Sequence, residues 1–160
     1  MLHEPNTALL RKFAYAAAAW AFVFAAMSFY WAAGGLFGVE TLGEGMRELA
    51  LARDPEIIGI TWITGVLKVG AGPVALSLVQ SWGRRIPRWI RRAATWGAGL
   101  LFIFYAVANL IQHGSMAAGI SSIPDLLGSM TAVRWHLLFW DPFWLLGGIL
   151  FVTSAVQFNR

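Results

Sequence analysis

Residues 134–148 read RWHLLFWDPFWLLGG, and this stretch decides how the rest of the chain is interpreted. It places Asp141 among tryptophan and phenylalanine side chains on the way into a long apolar segment. A charged side chain inside hydrocarbon costs at least a few kcal/mol on insertion scales. If this segment crosses a membrane, other residues of the chain must therefore stabilise the Asp141 carboxylate.

The composition is that of a membrane protein. Of the 160 residues, 58% are hydrophobic and 12% are charged, whereas a soluble domain has about 25% charged residues. The chain contains no cysteine, which excludes disulfide bonds and thiol chemistry.

Four apolar segments are long enough to cross a bilayer, which takes about 20 residues. They cover residues 13–35, 57–80, 93–112 and 135–158 of a single domain, 1–160. We therefore predict an all-α, four-helix transmembrane bundle, whose two longer loops share one side and contain short interfacial helices. The first segment exceeds the 7–15 residues usual for the apolar part of a signal peptide, so we expect it to be retained.

The basic residues predict the orientation. Arg11, Lys12, Arg160 and the five arginines of residues 81–92 all fall on one side of a four-span chain. The positive-inside rule places that side, with both termini, in the cytoplasm of a bacterial inner membrane. The arginine run is then a topology signal that also contacts anionic lipid, and we expect no nucleic-acid partner.

Local signals add detail to this topology. Gly70, Gly72 and Pro73 follow Lys68 in the second span, and the proline predicts a kink or break. Residues 44–53 are expected to form either a short helix on the membrane surface or an exposed loop with one or two helical turns. In the second long loop, a serine at 121 or 122 before Pro124 predicts another short helix.

Polar side chains from all four spans are expected to meet in one layer near the loops. Lys68 and Asp141 enter from the same side, and the lysine side chain can extend towards the interface. We predict that they form an ion pair, which either serves function or only fixes the helix register. A competing interpretation makes Asp141 the N-cap of a helix that begins at Pro142.

The candidate site follows from this layer. Asp141, Lys68 and His136 are the candidate catalytic residues, with Asp141 as acid or base, Lys68 as counter-ion or electrophile, and His136 or His113 as proton relay. The candidate ligand-binding residues are Asn109, Gln112, His113, Tyr30, Trp31, Trp140 and Trp144. In the competing interpretation, the histidines and tryptophans only mark the membrane interface.

Motifs for cofactors are missing from the sequence. His113 and His136 lie 23 residues apart and lack the i, i+4 spacing of a helical zinc site. There is no GxSxG elbow, phosphate loop or dinucleotide-binding glycine pattern. We therefore expect neither a metal nor another cofactor.

Three segments together resemble a known family. YWAAGG at residues 30–35, TGVLKVGAG at 64–72 and the stretch at 134–148 are similar to small bacterial four-helix membrane proteins catalogued as a domain of unknown function. The resemblance implies four spans and marks Lys68, His136 and Asp141 as motif positions. It implies no activity, substrate or cofactor.

Three functions fit these observations. The first is an enzyme or binding protein for a small lipophilic molecule, because polar groups lie beneath aromatic rings where lipid-soluble compounds partition. The second is a transporter or proton-coupled component, which with four helices requires a homo-oligomer. The third is a structural or accessory subunit whose charges only fix the bundle. In each case membrane lipid is an expected partner.

Overall fold

The computed structural model describes residues 7–159, and these are helical apart from the connections between helices. Four of the helices are long and apolar enough to cross a membrane, which confirms the all-α, four-helix transmembrane prediction. The helices are α1 (Thr7–Ala32), α2 (Glu44–Leu51), α3 (Pro55–Leu76), α4 (Arg88–Ala117) and α5 (Met130–Asn159). Two short 3₁₀ turns, Val39–Thr41 and Ser81–Arg85, lie in the connections.

Helix α1 lies between α3 and α5, and α4 packs mainly on α5. The small residues Ala17, Ala21 and Ala25 are fully or almost fully buried, as expected for a face against which other helices pack closely. Trp20 packs across this core and donates a hydrogen bond from Nε1 to the carbonyl oxygen of Phe143 on α5 at 2.9 Å. Since α3 and α4 contact each other little, space remains between them at the loop end.

The two long loops close that end of the bundle by pairing with each other. The backbone N–H groups of Glu44 and Met46 donate to the carbonyl oxygens of Leu127 and Leu126, at 3.1 and 3.2 Å. The first loop contains the expected short helix, α2. The second contains only turns before α5, and Ser129, rather than Ser121 or Ser122, caps the next helix. The helix predicted at Pro124 is therefore wrong.

The ends of the helices are fixed by side chains. Asp54 caps α3 by accepting hydrogen bonds from the N–H groups of Glu56 and Ile57, both at 3.0 Å, with Pro55 as the first helical residue. Arg53 donates from both Nη1 and Nη2 to the last carbonyl oxygen of α1, that of Ala32, at 3.3 Å. These contacts connect α1 to α3 directly beside the space between the helices.

At the opposite end, arginines of the basic run contact helix C-termini. Arg88 donates to the carbonyl oxygen of Phe158 at 3.1 Å, and Arg91 donates to that of Ser77 at 3.2 Å. A cation near the C-terminus of a helix is favoured by the exposed carbonyl groups there. The basic run therefore also holds α3, α4 and α5 together at this end.

The break that Gly70, Gly72 and Pro73 could cause in the second span is absent. Helix α3 continues through Gly70, Gly72 and Pro73 to Leu76. The ring of Phe22 on α1 fills the space beside Gly72, where a Cβ atom would overlap the ring. Close packing against α1 therefore stabilises the helical conformation of α3 around Pro73.

Candidate functional site

Helices α4 and α5 bring His113 and Asp141 into direct contact. Nδ1 of His113 lies 2.7 Å from Oδ2 of Asp141, and both residues are buried. A contact this short is a hydrogen bond through one shared proton, which the imidazole N–H donates when Asp141 is a carboxylate. The third apolar segment of the sequence ends at residue 112, but α4 extends to Ala117 and carries His113 on the inner face of the bundle.

His136 completes a cluster of three. Its ring lies 4.5 Å from that of His113 between centroids, and its Nδ1 is 3.9 Å from Oδ1 of Asp141. Its Nε2 lies 3.2 Å from the carbonyl oxygen of Leu42 in the first loop. One donor atom from each of His113, His136 and Asp141 lies within 4.8 Å of the other two.

A π-helical segment aligns two members of this cluster. Residues His136–Trp140 are π-helical, and the N–H of Asp141 donates to the carbonyl oxygen of His136, five residues back. Positions five apart are separated by about 140° around an α-helix, but they approach the same face where bonds run from i to i+5. Because Pro142 has no N–H to donate, it favours this local widening. Asp141 is therefore inside a continuous helix, and the prediction that it caps a helix is wrong.

Lys68 is not paired with Asp141. Its Nζ donates a hydrogen bond to Oγ of Ser28 at 2.8 Å. The same nitrogen lies 3.7 Å from the ring centre of Phe24 and 5.2 Å from that of Trp144. Among residues 7–159, the carboxylate of Asp141 has only histidine partners, and no carboxylate forms a salt bridge with Lys68. The predicted ion pair is absent because α1 supplies a hydroxyl group and an aromatic face for the ammonium group.

These groups surround a cavity of about 430 Å³ between α1, α3, α4 and α5 beneath the paired loops. Lys68, His136 and Asp141, the three candidate catalytic residues, all line it. Six of the seven candidate ligand-binding residues also line it, namely Asn109, Gln112, His113, Trp31, Trp140 and Trp144. The exception is Tyr30, whose hydroxyl group instead accepts a hydrogen bond from the N–H of Phe37.

The first loop, which forms part of the roof of the cavity, is hydrogen-bonded to two tryptophans of the helices below it. Trp140 donates from Nε1 to Oγ1 of Thr41 at 3.0 Å, and Trp31 donates from Nε1 to the carbonyl oxygen of Phe37 at 3.0 Å. These two tryptophans are therefore fixed by protein partners at one end. Their rings lie 5.5 Å apart and close the cavity on the side of the first loop.

Ten residues that line the cavity were not among the candidates predicted from the sequence. They are Phe24 and Ser28 of α1, Thr61 and Thr64 of α3, Tyr105 of α4, Leu42 and Met46 of the first loop region, and Pro124, Leu126 and Leu127 of the second loop. Two signals were available. Thr61, Thr64 and Lys68 have the i, i+3, i+7 spacing of one helix face, and Phe24 and Ser28 are four apart on α1. The loop contribution has no comparable local signal.

Comparison with known proteins supports the resemblance seen in the sequence. The model of a family described as "Protein of unknown function (DUF3995)" matches residues 21–151. The chain belongs to the DUF3995 family. No curated protein and no solved structure matches it.

The match includes the whole DUF3995 cavity. Lys68, His113, His136 and Asp141 all lie inside residues 21–151, as do both loops that form the roof. The DUF3995 region therefore coincides with the four-helix core and the polar cluster that lines its cavity. The family description assigns no activity, so function must be argued from the cavity itself.

Proposed function

We propose that this multi-pass membrane protein binds a small lipophilic molecule in the cavity beneath its loops, with the polar end of the molecule at Lys68. One observation carries the proposal. Lys68 is buried at the wall of a cavity, and no carboxylate of residues 7–159 forms a salt bridge with it. A buried ammonium group is costly without compensation. The Ser28 hydroxyl and the Phe24 ring compensate part of this cost, and a bound acceptor supplies the rest.

The volume and lining of the cavity favour a small molecule. A volume of about 430 Å³ lies within the range of roughly 300–1,000 Å³ that is typical of ligand sites. Aromatic side chains of Phe24, Trp31, Trp140 and Trp144 surround its polar groups. Mostly apolar walls with a few convergent polar groups are the usual composition of such sites.

The chemistry of the ligand is bounded by the same residues. Lys68 has three N–H donors and gives one of them to Ser28. It therefore favours an acceptor such as a carboxylate, phosphate or carbonyl oxygen. Asp141, Lys68 and His136 as catalytic residues remain a prediction, and binding does not require them to react.

The orientation and location belong to the same proposal. The basic run that contacts the C-termini of α3 and α5 supports placing that end of the bundle in the cytoplasm of a bacterial inner membrane. The cavity then opens near the outer leaflet. Single cysteines introduced at Arg84 and at Glu48 test this orientation, because the natural chain has none. Labelling of the Arg84 site from outside intact cells would contradict it.

The alternatives have less support. A transport site formed by a broken second span has no support, because α3 is continuous there. A homo-oligomer remains a prediction, and lipid is the partner that we propose for the exposed apolar flanks of the helices. A purely structural role predicts a cavity that binds nothing, which the following experiment separates from our proposal.

The experiment introduces a bulky side chain into the cavity from α3 and measures whether a ligand is still retained. Thr64 lines the cavity, whereas its neighbour Ile63 is 60% exposed on the outer surface of the same helix. We expect the wild-type protein, purified in mild detergent, to retain a co-purifying small molecule in native mass spectrometry. Thr64→Phe should lower its occupancy at least about tenfold, because the ring occupies the ligand's volume.

The matched control is Ile63→Phe, which adds a similar ring to the same helix outside the cavity. It should retain the molecule at the wild-type level. Two outcomes would contradict binding. One is a wild-type protein with no bound mass in two unrelated detergents, and the other is equal occupancy in Thr64→Phe and wild type.

A further inference from the structure

We propose that His113, His136 and Asp141 form a binding site for a divalent transition-metal ion of the Zn²⁺ type. Two imidazoles and one carboxylate are a common ligand set for zinc and for non-haem iron. In this chain they come from α4 and α5, and one donor atom of each lies within 4.8 Å of the other two. Sequence spacing missed the set because it compares positions along a single helix.

The distances fit coordination after small side-chain rotations. Ligand bonds of about 2.0–2.2 Å place the donors of a tetrahedral ion roughly 3.2–3.6 Å apart. The two distances from Asp141 oxygens to the histidine Nδ1 atoms are 2.7 Å for His113 and 3.9 Å for His136. One of these distances is shorter and the other longer than the separation expected between two ligands of one ion. Insertion of a metal therefore requires the His113–Asp141 pair to open slightly and to release its shared proton to solvent, and it requires His136 to approach.

The contact of His136 with the first loop prepares it as a ligand. The carbonyl oxygen of Leu42, 3.2 Å from Nε2, can only accept a hydrogen bond, so Nε2 carries the proton. The other nitrogen, Nδ1, then has its lone pair on the side of Asp141. Metal-binding histidines almost always donate their second N–H to a carboxylate, a backbone carbonyl or water, and Leu42 supplies such a carbonyl here.

The surroundings leave one coordination position for a further ligand. All three side chains line the cavity, and Asp141 is almost completely buried. Three protein ligands and one open position are typical of metal sites that bind an exogenous molecule. A metal ion also supplies the counter-charge that Asp141 needs inside the bundle, which Lys68 does not provide.

The site is tested with metal alone. Protein carrying no histidine tag is stripped with EDTA and titrated with Zn²⁺, without any added lipophilic compound. We expect one Zn²⁺ per chain with micromolar or tighter affinity. His113→Gln and His136→Gln should each weaken binding by at least about 100-fold, since loss of even an outer-shell partner costs 10–100-fold. Bound Co²⁺ should show visible absorption bands that both variants lose.

His3→Gln is the matched control, because it removes the one other histidine of the sequence and should leave Zn²⁺ affinity unchanged. His136→Gln keeps a side-chain donor for Leu42, so it should melt close to wild type in EDTA. The proposal is overturned if the wild-type protein binds no Zn²⁺, or if both glutamine variants bind it like wild type. Neither result affects retention of a lipophilic molecule measured in EDTA.

Discussion

Replacing Lys68 by methionine is expected to raise the melting temperature of the purified, ligand-free protein by roughly 3–10 °C. The change removes a buried ammonium group that forms no salt bridge within residues 7–159. Exchange of buried ionic groups for apolar ones of similar volume often stabilises a protein by about 1–4 kcal/mol, and 1 kcal/mol shifts a melting temperature of this chain length by a few degrees. The loss of contact with the Phe24 ring offsets part of this gain.

Lys12→Met is the matched control, because Lys12 is exposed and is the one other lysine of the sequence. It removes the same charge and should shift the melting temperature by little. The same Lys68→Met protein should lose the molecule retained by wild type. A protein that is more stable yet binds nothing would identify Lys68 as a residue kept for binding. A clear fall in melting temperature would contradict this account.

The second large effect is expected at Asp141. Asp141→Leu should destabilise the metal-free protein by about 3–5 kcal/mol, because it leaves His113 buried without its partner. Asp141→Asn should cost less, since its amide oxygen still accepts from Nδ1 of His113. Thermal melts in EDTA measure both changes without a contribution from bound metal.

A double-mutant cycle identifies the partner of Asp141. The combination His113→Leu with Asp141→Leu should recover most of the lost stability, which gives a coupling energy of about 2–3 kcal/mol. Lys68→Met combined with Asp141→Leu should be additive within about 0.5 kcal/mol. Strong coupling to Lys68 and none to His113 would instead support the ion pair predicted from the sequence.

The membrane fold was predictable because composition and the length of apolar segments depend on no tertiary contact. The positions of the helix N-caps were not predictable from the sequence, and two Asp-Pro pairs show the reason. Asp54-Pro55 begins a helix, since Arg53 before it has a positive φ of 55° and ends the preceding turn. Asp141-Pro142 follows apolar residues of a membrane helix, where a break would expose backbone groups to hydrocarbon. A π-helical turn accommodates that proline instead.

The sequence predicted nine of the residues that line the cavity, but not which polar side chains contact each other. All three candidate catalytic residues line the cavity, because polar side chains in apolar helices face the bundle interior. Which of them touch depends on helix rotation and order. Lys68 contacts Ser28 and Phe24 on α1, whereas Asp141 forms a hydrogen bond with His113 on α4. Neither pairing follows from spacing along the chain.

The central claim is that the cavity beneath the loops holds a lipophilic molecule whose polar end contacts Lys68. The most direct measurement is an experimental structure of the protein purified without added lipid and treated with EDTA. The account predicts continuous non-protein density between the rings of Trp140 and Trp144, with an acceptor atom at hydrogen-bond distance from Nζ of Lys68. A cavity that contains only water, or one closed by a carboxylate bound to Lys68, would contradict it.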